Sequence, residues 1–453
     1  MVTLIDLLSS TYAPIQTMIL PYLGIAEVIA LTRTSKGFDC ILPVLKAMAW
    51  NINYFLGYFF SDPPTFRSIQ GECGALLSGR AVRNFLRRSR SPFGDLMVFV
   101  VDEQRDLLIS HIENDGYNQQ ESPTKTGGSI FTRIRSNGQE LRLYMFHSGR
   151  AAIAQVLDYH SLTASMNIVS WNSVYALFPH TTFIKSESYL LRGLSVALNR
   201  DLVNLTEEGI KTQSISWAQR ETLEGAQNGY ESLDLQLDQD ANDIGELTRR
   251  RRIGDKHTWK LDLDIQGLTI PDVPVKVLES TTFRLHVPHK YDQTWPVAHY
   301  EVDFDTKIQH PVLRYQYVTL REDTKDDDHV VRRDELDRRM RTSHYSRKCE
   351  ELIDRLNELT MIEFTKIPSA TEALDILIGK LSRASRLRGQ FVLPASWTFY
   401  DDEVISFLDK AWKSQQKMDA KEEASRKARF EDHLENDENA KQVLYDLLKK
   451  ALS

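Results

Sequence analysis

Residues 74–100 read GALLSGRAVRNFLRRSRSPFGDLMVFV, and this stretch decides the fold. An apolar run ends in Ser78-Gly79. The spacing of Ala81 to Arg88 predicts a helix, and Leu96 to Val101 (LMVFVV) predicts a short buried strand behind Asp95. Small residues opening a helix let backbone N–H groups approach a phosphate. A carboxylate heading the next strand can stand beside that phosphate and hold a metal ion. Two carboxylates at i and i+2 would share one face of the strand and could hold Mg²⁺ for in-line transfer.

The flanks extend this core. Phe66 to Cys73, Asp106 to Glu113 and Gly149 to Tyr159 read as helix. Ser129 to Arg135 and Leu141 to Phe146 flank Asn137-Gly138, a hairpin signal. Ala164 to Trp171 reads as another strand. Residues 219–250 are acidic and poor in aromatics, which predicts a weakly ordered surface excursion. Alternation at Trp259, Leu261, Leu263 and Ile265, then at Phe283, Leu285, Val302 and Phe304, predicts a second sheet. Leu352, Ile353, Leu356 and Leu359 follow a helical period, and the charged stretch from Lys413 to Asn439 reads as a solvated helix. The fold class is α+β. Its expected parts are short helices over residues 1–62, a small mixed-sheet core over 63–200, a β-rich extension with a polar loop over 201–325, and a helical region over 326–453.

The chain has 453 residues, 42% hydrophobic and 26% charged, with a net charge of -7. That composition excludes a fibrous or mostly disordered protein and gives no global argument for a nucleic-acid partner. Cys40, Cys73 and Cys349 are too dispersed for a zinc ladder or a disulfide framework, which points to a reducing compartment. The most apolar window, Met18 to Leu31, contains Pro21 and Glu27 and is too short to span a bilayer. No signal peptide is read. The expectation is an intracellular protein, cytoplasmic or nuclear, with no membrane partner and no cofactor. Its oligomeric state is left open.

The 74–100 arrangement resembles the nucleotidyltransferase fold, whose signature is a Gly-Ser pair, then Asp-x-Asp, then a third carboxylate on a later strand. More closely it resembles a group of uncharacterised fungal proteins. The likeness continues loosely through Tyr159-His160-Ser161, Ala176-Leu177-Phe178-Pro179 and Arg252-Ile253-Gly254-Asp255. It implies a nucleotide- or phosphate-binding set of Ser78, Gly79, Arg80, Arg83 and Asp95. The departures carry the reading. Arg80 stands where the pattern wants Ser, Met97 where it wants the second Asp, and Leu141-Arg142-Leu143-Tyr144 holds no carboxylate. One metal ligand of three remains, and Mg²⁺ wants several oxygens in octahedral geometry. A catalytically dead relative is expected.

Two further patterns compete with ordinary explanations. Arg80, Arg83 and Arg87 share one helix face, with Arg88 and Arg90 beside them. Such a stripe could hold phosphates or RNA, or it could be a face paired with acids. The run Arg249 to Arg252 is read the same way. At the N-terminus, Leu20-Pro21-Tyr22-Leu23, then Ile29, Leu31, Arg33, Ser35-Lys36 and Trp50 resemble an F-box. That implies partner binding by Leu20, Pro21, Leu23, Leu31 and Trp50 to the adaptor subunit of a cullin ubiquitin ligase. The competing reading is a helical subdomain packed on the core. The acid pairs Asp262/Asp264 and Asp303/Asp305 alternate with apolar residues and are read as the wet side of half-buried strands.

The leading functional reading is a non-catalytic interaction protein on a degenerate nucleotidyltransferase-like core, with the F-box-like segment as a ubiquitin-ligase adaptor. One alternative is an active enzyme that uses Asp95, Mg²⁺ and a nucleotide, drawing further carboxylates from Asp102 or Glu103. The other is a nucleic-acid-binding module on the arginine stripe.

Overall fold

The computed structural model describes residues 3–89, 93–120, 128–193, 195–214, 247–271, 275–286, 299–320, 344–366 and 394–436. Arg90, most of the polar loop and the acidic 219–246 stretch lie outside these. The chain forms two compact units. The first is Met1–Ser214 with Arg251–Thr282 and His286–Val302, and the second is Ile215–Arg250 with Phe283–Leu285 and Asp303–Ser453.

The first unit is built on an eight-stranded mixed sheet. Its strands are β1 (Leu76–Ser78), β2 (Leu96–Val101), β3 (Asn118–Gln120), β4 (Gly128–Ile134), β5 (Glu140–Ser148), β6 (Asn167–Val169) and β7 (Ser173–Ala176), with Trp259–Asp262 at one edge. The spatial order is Trp259–Asp262, β7, β6, β1, β2, β5, β4, β3. β2 and β5 run parallel and β4–β5 are antiparallel. Asn137-Gly138 makes the β4–β5 turn, with Gly138 at φ +80°, a conformation that favours glycine.

The strands expected over 95–101, 129–135, 141–146 and 164–171 thus belong to one sheet. The last is shorter than expected, because residues 163–165 make a helical turn before β6. The Trp259–Asp262 strand does not found a second sheet. It pairs antiparallel with β7, Trp259 against Ala176, because Trp259 and Leu261 bury in the core that β2 also fills.

Leu96, Val98 and Val100 present one face of β2 to that core, and the short helices of residues 4–72 cover it. Leu20, Val28, Ile29, Trp50, Phe55 and Phe59 all bury there. Local chemistry fixes where these helices start. Asn51 caps the Ile52–Leu56 helix by accepting from Tyr54 N at 3.0 Å. Asp62 caps Pro63–Glu72 through Thr65 N at 3.3 Å, ahead of two prolines that need no amide partner there.

In the second unit the helices His344–Phe364 and Asp401–Asn436 pack on each other, beside the antiparallel strands Asp305–Ile308 and Tyr317–Thr319. Asp401 accepts from Arg314 N, Tyr315 N and Tyr317 Oη at 2.9, 3.2 and 2.9 Å. Asp303 does not face water as the alternation predicted. It is buried against Arg284 Nε at 3.0 Å, so the guanidinium satisfies the charge. Among the described residues no helix is long and apolar enough to cross a membrane.

Candidate functional site

β1 ends at Ser78, and its antiparallel partner β2 begins beside it, with Ser78 opposite Met97. The parallel register of β5 places Tyr144 opposite Met97. One lateral row across the end of the sheet therefore reads Ser78, Met97, Tyr144. This is the face on which the nucleotidyltransferase pattern would carry its carboxylates, and the row carries none. Gly79 follows at φ +86° and ψ -155°, a conformation that favours glycine, and the Arg80–Arg87 helix opens directly after it. Sequence reasoning placed Gly79 and Asp95 at one end of the sheet, and the structure brings them together there.

Side chains occupy the space beside Gly79. A Cβ built on Gly79 would lie 2.8 Å from Met97 Sδ and 3.7 Å from His160 Cε1. Ser78 is fully buried. Its hydroxyl lies 2.7 Å from the Asn167 carbonyl, to which it donates, and 2.8 Å from His160 Nε2. With its one proton given to Asn167, the hydroxyl accepts from His160, which fixes the imidazole as the neutral Nε2–H form. Burial first, then the Arg83 and Arg192 charges, push His160 down to about 3. The Ser78 hydroxyl is thus committed to partners inside the core.

The arginine stripe converges on a single glutamate. Glu208 closes the Val196–Glu207 helix. Its carboxylate accepts from Arg83 Nε at 2.8 Å and Nη2 at 3.0 Å, a bidentate pair. Arg80 Nε stands 3.4 Å from the same carboxylate, and Arg87 Nη1 3.9 Å. Arg87 also donates to the Glu208 carbonyl, Arg80 to Asn204 Oδ1 and Arg83 to Ser165 Oγ. Arg88 donates to the carbonyls of Leu20, Pro21 and Leu23. Arg80, Arg83 and Arg87 thus form a face paired with one acid, whereas Arg88 meets only carbonyls. Sequence reasoning missed Glu208 and Asn204. Their signal is the helix that Ser195 caps through Leu198 N, with Leu198, Leu202 and Leu205 spaced along its inner face.

Asp95 is exposed and makes no hydrogen bond with the described residues. Desolvation of the carboxyl raises its pKa, with Glu140 adding to the rise, against Arg142, Arg200 and Arg80. The proposed helpers stand elsewhere. Asp102 lies past the far end of β2, up to about 23 Å away at roughly 3.3 Å per residue, where it meets His147 Nδ1 at 2.7 Å. Among the described residues no group of three His, Cys, Asp or Glu could hold a metal ion. The residues present do not fit a Mg²⁺ site at this end of the sheet. Met97 fills the place of the second ligand, and Arg142 and Tyr144 bring a cation and a phenol where a carboxylate is needed.

The F-box-like set is split. Leu20 and Trp50 are buried, Leu23 and Leu31 are half-buried against the same core, and Pro21 is exposed. Trp50 Nε1 donates to the Leu86 carbonyl at 3.0 Å, and its ring meets Trp259 edge to face at 5.3 Å. The Arg249–Arg252 run is likewise engaged. Arg250 pairs with Asp419 at 2.8 Å, and buried Arg251 pairs with Asp255 at 2.8 Å. Asp262 is exposed and accepts from Ser173 Oγ at 3.1 Å.

No protein-family model matches the chain, and no curated protein matches it. Among solved structures it is similar to one described as the structure of CCA-adding enzyme apo form I. The identity is 12%, the TM-score is 0.26, and the match covers 40% of this chain and 46% of that one. The matched part is less than half of that enzyme's length. An overlap this slight establishes neither fold nor activity here.

Proposed function

We propose that this chain is a non-catalytic protein whose core has the nucleotidyltransferase pattern without its chemistry. It serves as an interaction scaffold rather than a transferase. One observation carries the reading: the row Ser78, Met97, Tyr144 fills the end of the sheet with no carboxylate, and Asp95 stands beside it without a second ligand. Glu208 supports it, because it takes up the guanidinium groups that a phosphate would otherwise meet. In-line transfer needs metal ions to neutralise charge on the phosphoryl oxygens, and this end of the sheet offers them no cage.

The test is incorporation of labelled nucleoside triphosphates with Mg²⁺ or Mn²⁺, together with direct titration of the nucleotides. Neither incorporation nor saturable binding is expected. Restoring the second aspartate alone, Met97→Asp, is expected to leave both at zero, because Arg142 and Tyr144 still face that position. Incorporation by the unaltered chain that is lost in Asp95→Ala would overturn the proposal. An adaptor role through the F-box-like segment gains no support here, since Leu20 and Trp50 are committed to the core.

A further inference from the structure

The N-terminal helices and the end of the Arg80–Arg87 helix enclose a pocket of about 280 Å³ in the first unit. Its floor is apolar. Leu45, Phe55 and Phe85 are buried, and Phe55 packs on Phe85 with ring centroids 4.8 Å apart. Its rim is exposed and mostly apolar: Tyr54 is 80% exposed and Met48 52%, with Pro21 and the polar Asn51 exposed beside them. Pockets for whole small-molecule ligands run to roughly 300–1,000 Å³, so this volume suits one or two inserted side chains. Aromatic walls under a methionine rim make a surface that accepts varied apolar side chains.

The charge in this pocket is the second observation. Arg88 lines it. The residue sits in the left-handed region at φ 56°, held there by three backbone carbonyls of residues 20–23. Carbonyls orient a guanidinium but do not neutralise it. No ion pair and no carboxylate acts on Arg88 among the described residues, and burial alone lowers its pKa. This contrasts with Arg83 one helical turn earlier, whose charge Glu208 meets directly. A fixed cation without a counter-ion, set in an apolar wall, is complementary to a ligand that brings an apolar side chain and a carboxylate together.

We propose that this pocket docks an acidic amphipathic segment of a partner protein, with a leucine or aromatic side chain in the pocket and an Asp or Glu against Arg88. A folded peptide is favoured over a lipid surface because the cation is single and recessed rather than spread over a basic face. The mode is a helix laid in a groove with one principal anchor. The proposal rests on reading the chain as an interaction protein. The two fail separately, because nucleotide incorporation tests the end of the sheet and peptide titration tests this pocket.

The experiment titrates the full chain into fluorescein-labelled helical peptides and follows anisotropy. One peptide carries Leu and Phe on one face and Glu on the other, and its twin carries Lys for Glu. The acidic peptide is expected to bind, and the twin at least about tenfold more weakly. The exposed-site variants Met48→Asp and Tyr54→Ala leave the fold intact and are expected to weaken acidic-peptide binding about tenfold, the range of a central interface residue. Arg88→Lys keeps the charge and is expected to retain more binding than Arg88→Gln. Failure of both peptides to bind, equal binding of the two, or indifference to Met48→Asp and Tyr54→Ala would overturn the proposal. Preferential binding to phosphatidylserine vesicles, or self-association abolished by Met48→Asp, would overturn it in favour of a membrane or a second copy.

Discussion

Replacing Glu208 tests whether the arginine stripe is a structural joint. The carboxylate side chain is 13% exposed and its bidentate partner Arg83 is 3% exposed, at 2.8 and 3.0 Å. Removing one member of a buried ion pair costs about 3–5 kcal/mol, because the other charge is stranded. Arg83 would keep only Ser165 Oγ at 3.2 Å. Arg80 and Arg87 are 36% and 30% exposed at the longer distances of 3.4 and 3.9 Å, so they add less. Glu208→Ala is therefore expected to lose about 3–5 kcal/mol, and Glu208→Gln, which keeps an acceptor, about 2–3 kcal/mol. Urea unfolding of the full chain followed by far-ultraviolet dichroism reads both. Phosphate adds a second reading. The unpaired guanidinium groups of Glu208→Gln should bind it, and a ligand at about one hundred times its Kd restores about 2.7 kcal/mol. The unaltered chain should not respond. A loss below about 1 kcal/mol in Glu208→Ala would refute the reasoning, as would equal phosphate stabilisation of the unaltered chain.

Gly79→Ala meets both a left-handed backbone and a sulfur 2.8 Å from the new Cβ. Thermal unfolding should report a loss of about 2–3 kcal/mol, of which adding Met97→Ala recovers only the contact part, because roughly 1–2 kcal/mol is backbone strain. His160 is pushed from 6.5 down to about 3, so the unfolded chain binds a proton that the folded one refuses. Its contribution is complete above the unfolded value and falls by about 1.4 kcal/mol per pH unit as pH drops through the window between the two. Urea midpoints compared with His160→Gln should show the variant's acid slope shallower by one proton, and identical slopes would exclude this assignment. Trp50→Ala should cost about 3–5 kcal/mol by emptying the contact with Trp259. A loss under about 1 kcal/mol would mean that the ring is not held in the core.

Local signals made much of the first unit legible. Asn137-Gly138 reads as a turn because glycine enters the left-handed region at no steric cost, and Gly138 does so at φ +80° between β4 and β5. LMVFVV reads as a buried strand because both faces are apolar, and both are covered. Non-local pairing was not legible. Trp259–Asp262 looks the same whether it edges the main sheet or founds another, and only β7, some eighty residues earlier, decides. Asp303 looks like a wet acid until Arg284 is found beside it. The site divides the same way. Gly79, Asp95 and Met97 stand within one stretch and can be read together. Glu208 comes more than a hundred residues later, on a helix that the chain pattern left unassigned.

That division explains why the sequence supports a negative conclusion about catalysis better than a positive one about binding. A metal cage needs its carboxylate spacing intact, and Met97 stands where the expected pattern would place the second carboxylate. The packing at this end of the sheet draws on three segments at once. Met97 must fill the space over Gly79, Tyr144 must come into register from β5, and Glu208 must arrive from the Val196–Glu207 helix to hold Arg83. Each part alone would be incomplete. Glu208 beside an open phosphate site would repel the ligand, and Arg83 without Glu208 would be a buried charge with no partner. The three together close the end of the sheet with its charges met. Opening it would therefore take changes on all three segments, whereas the pocket at Arg88 is open and positively charged.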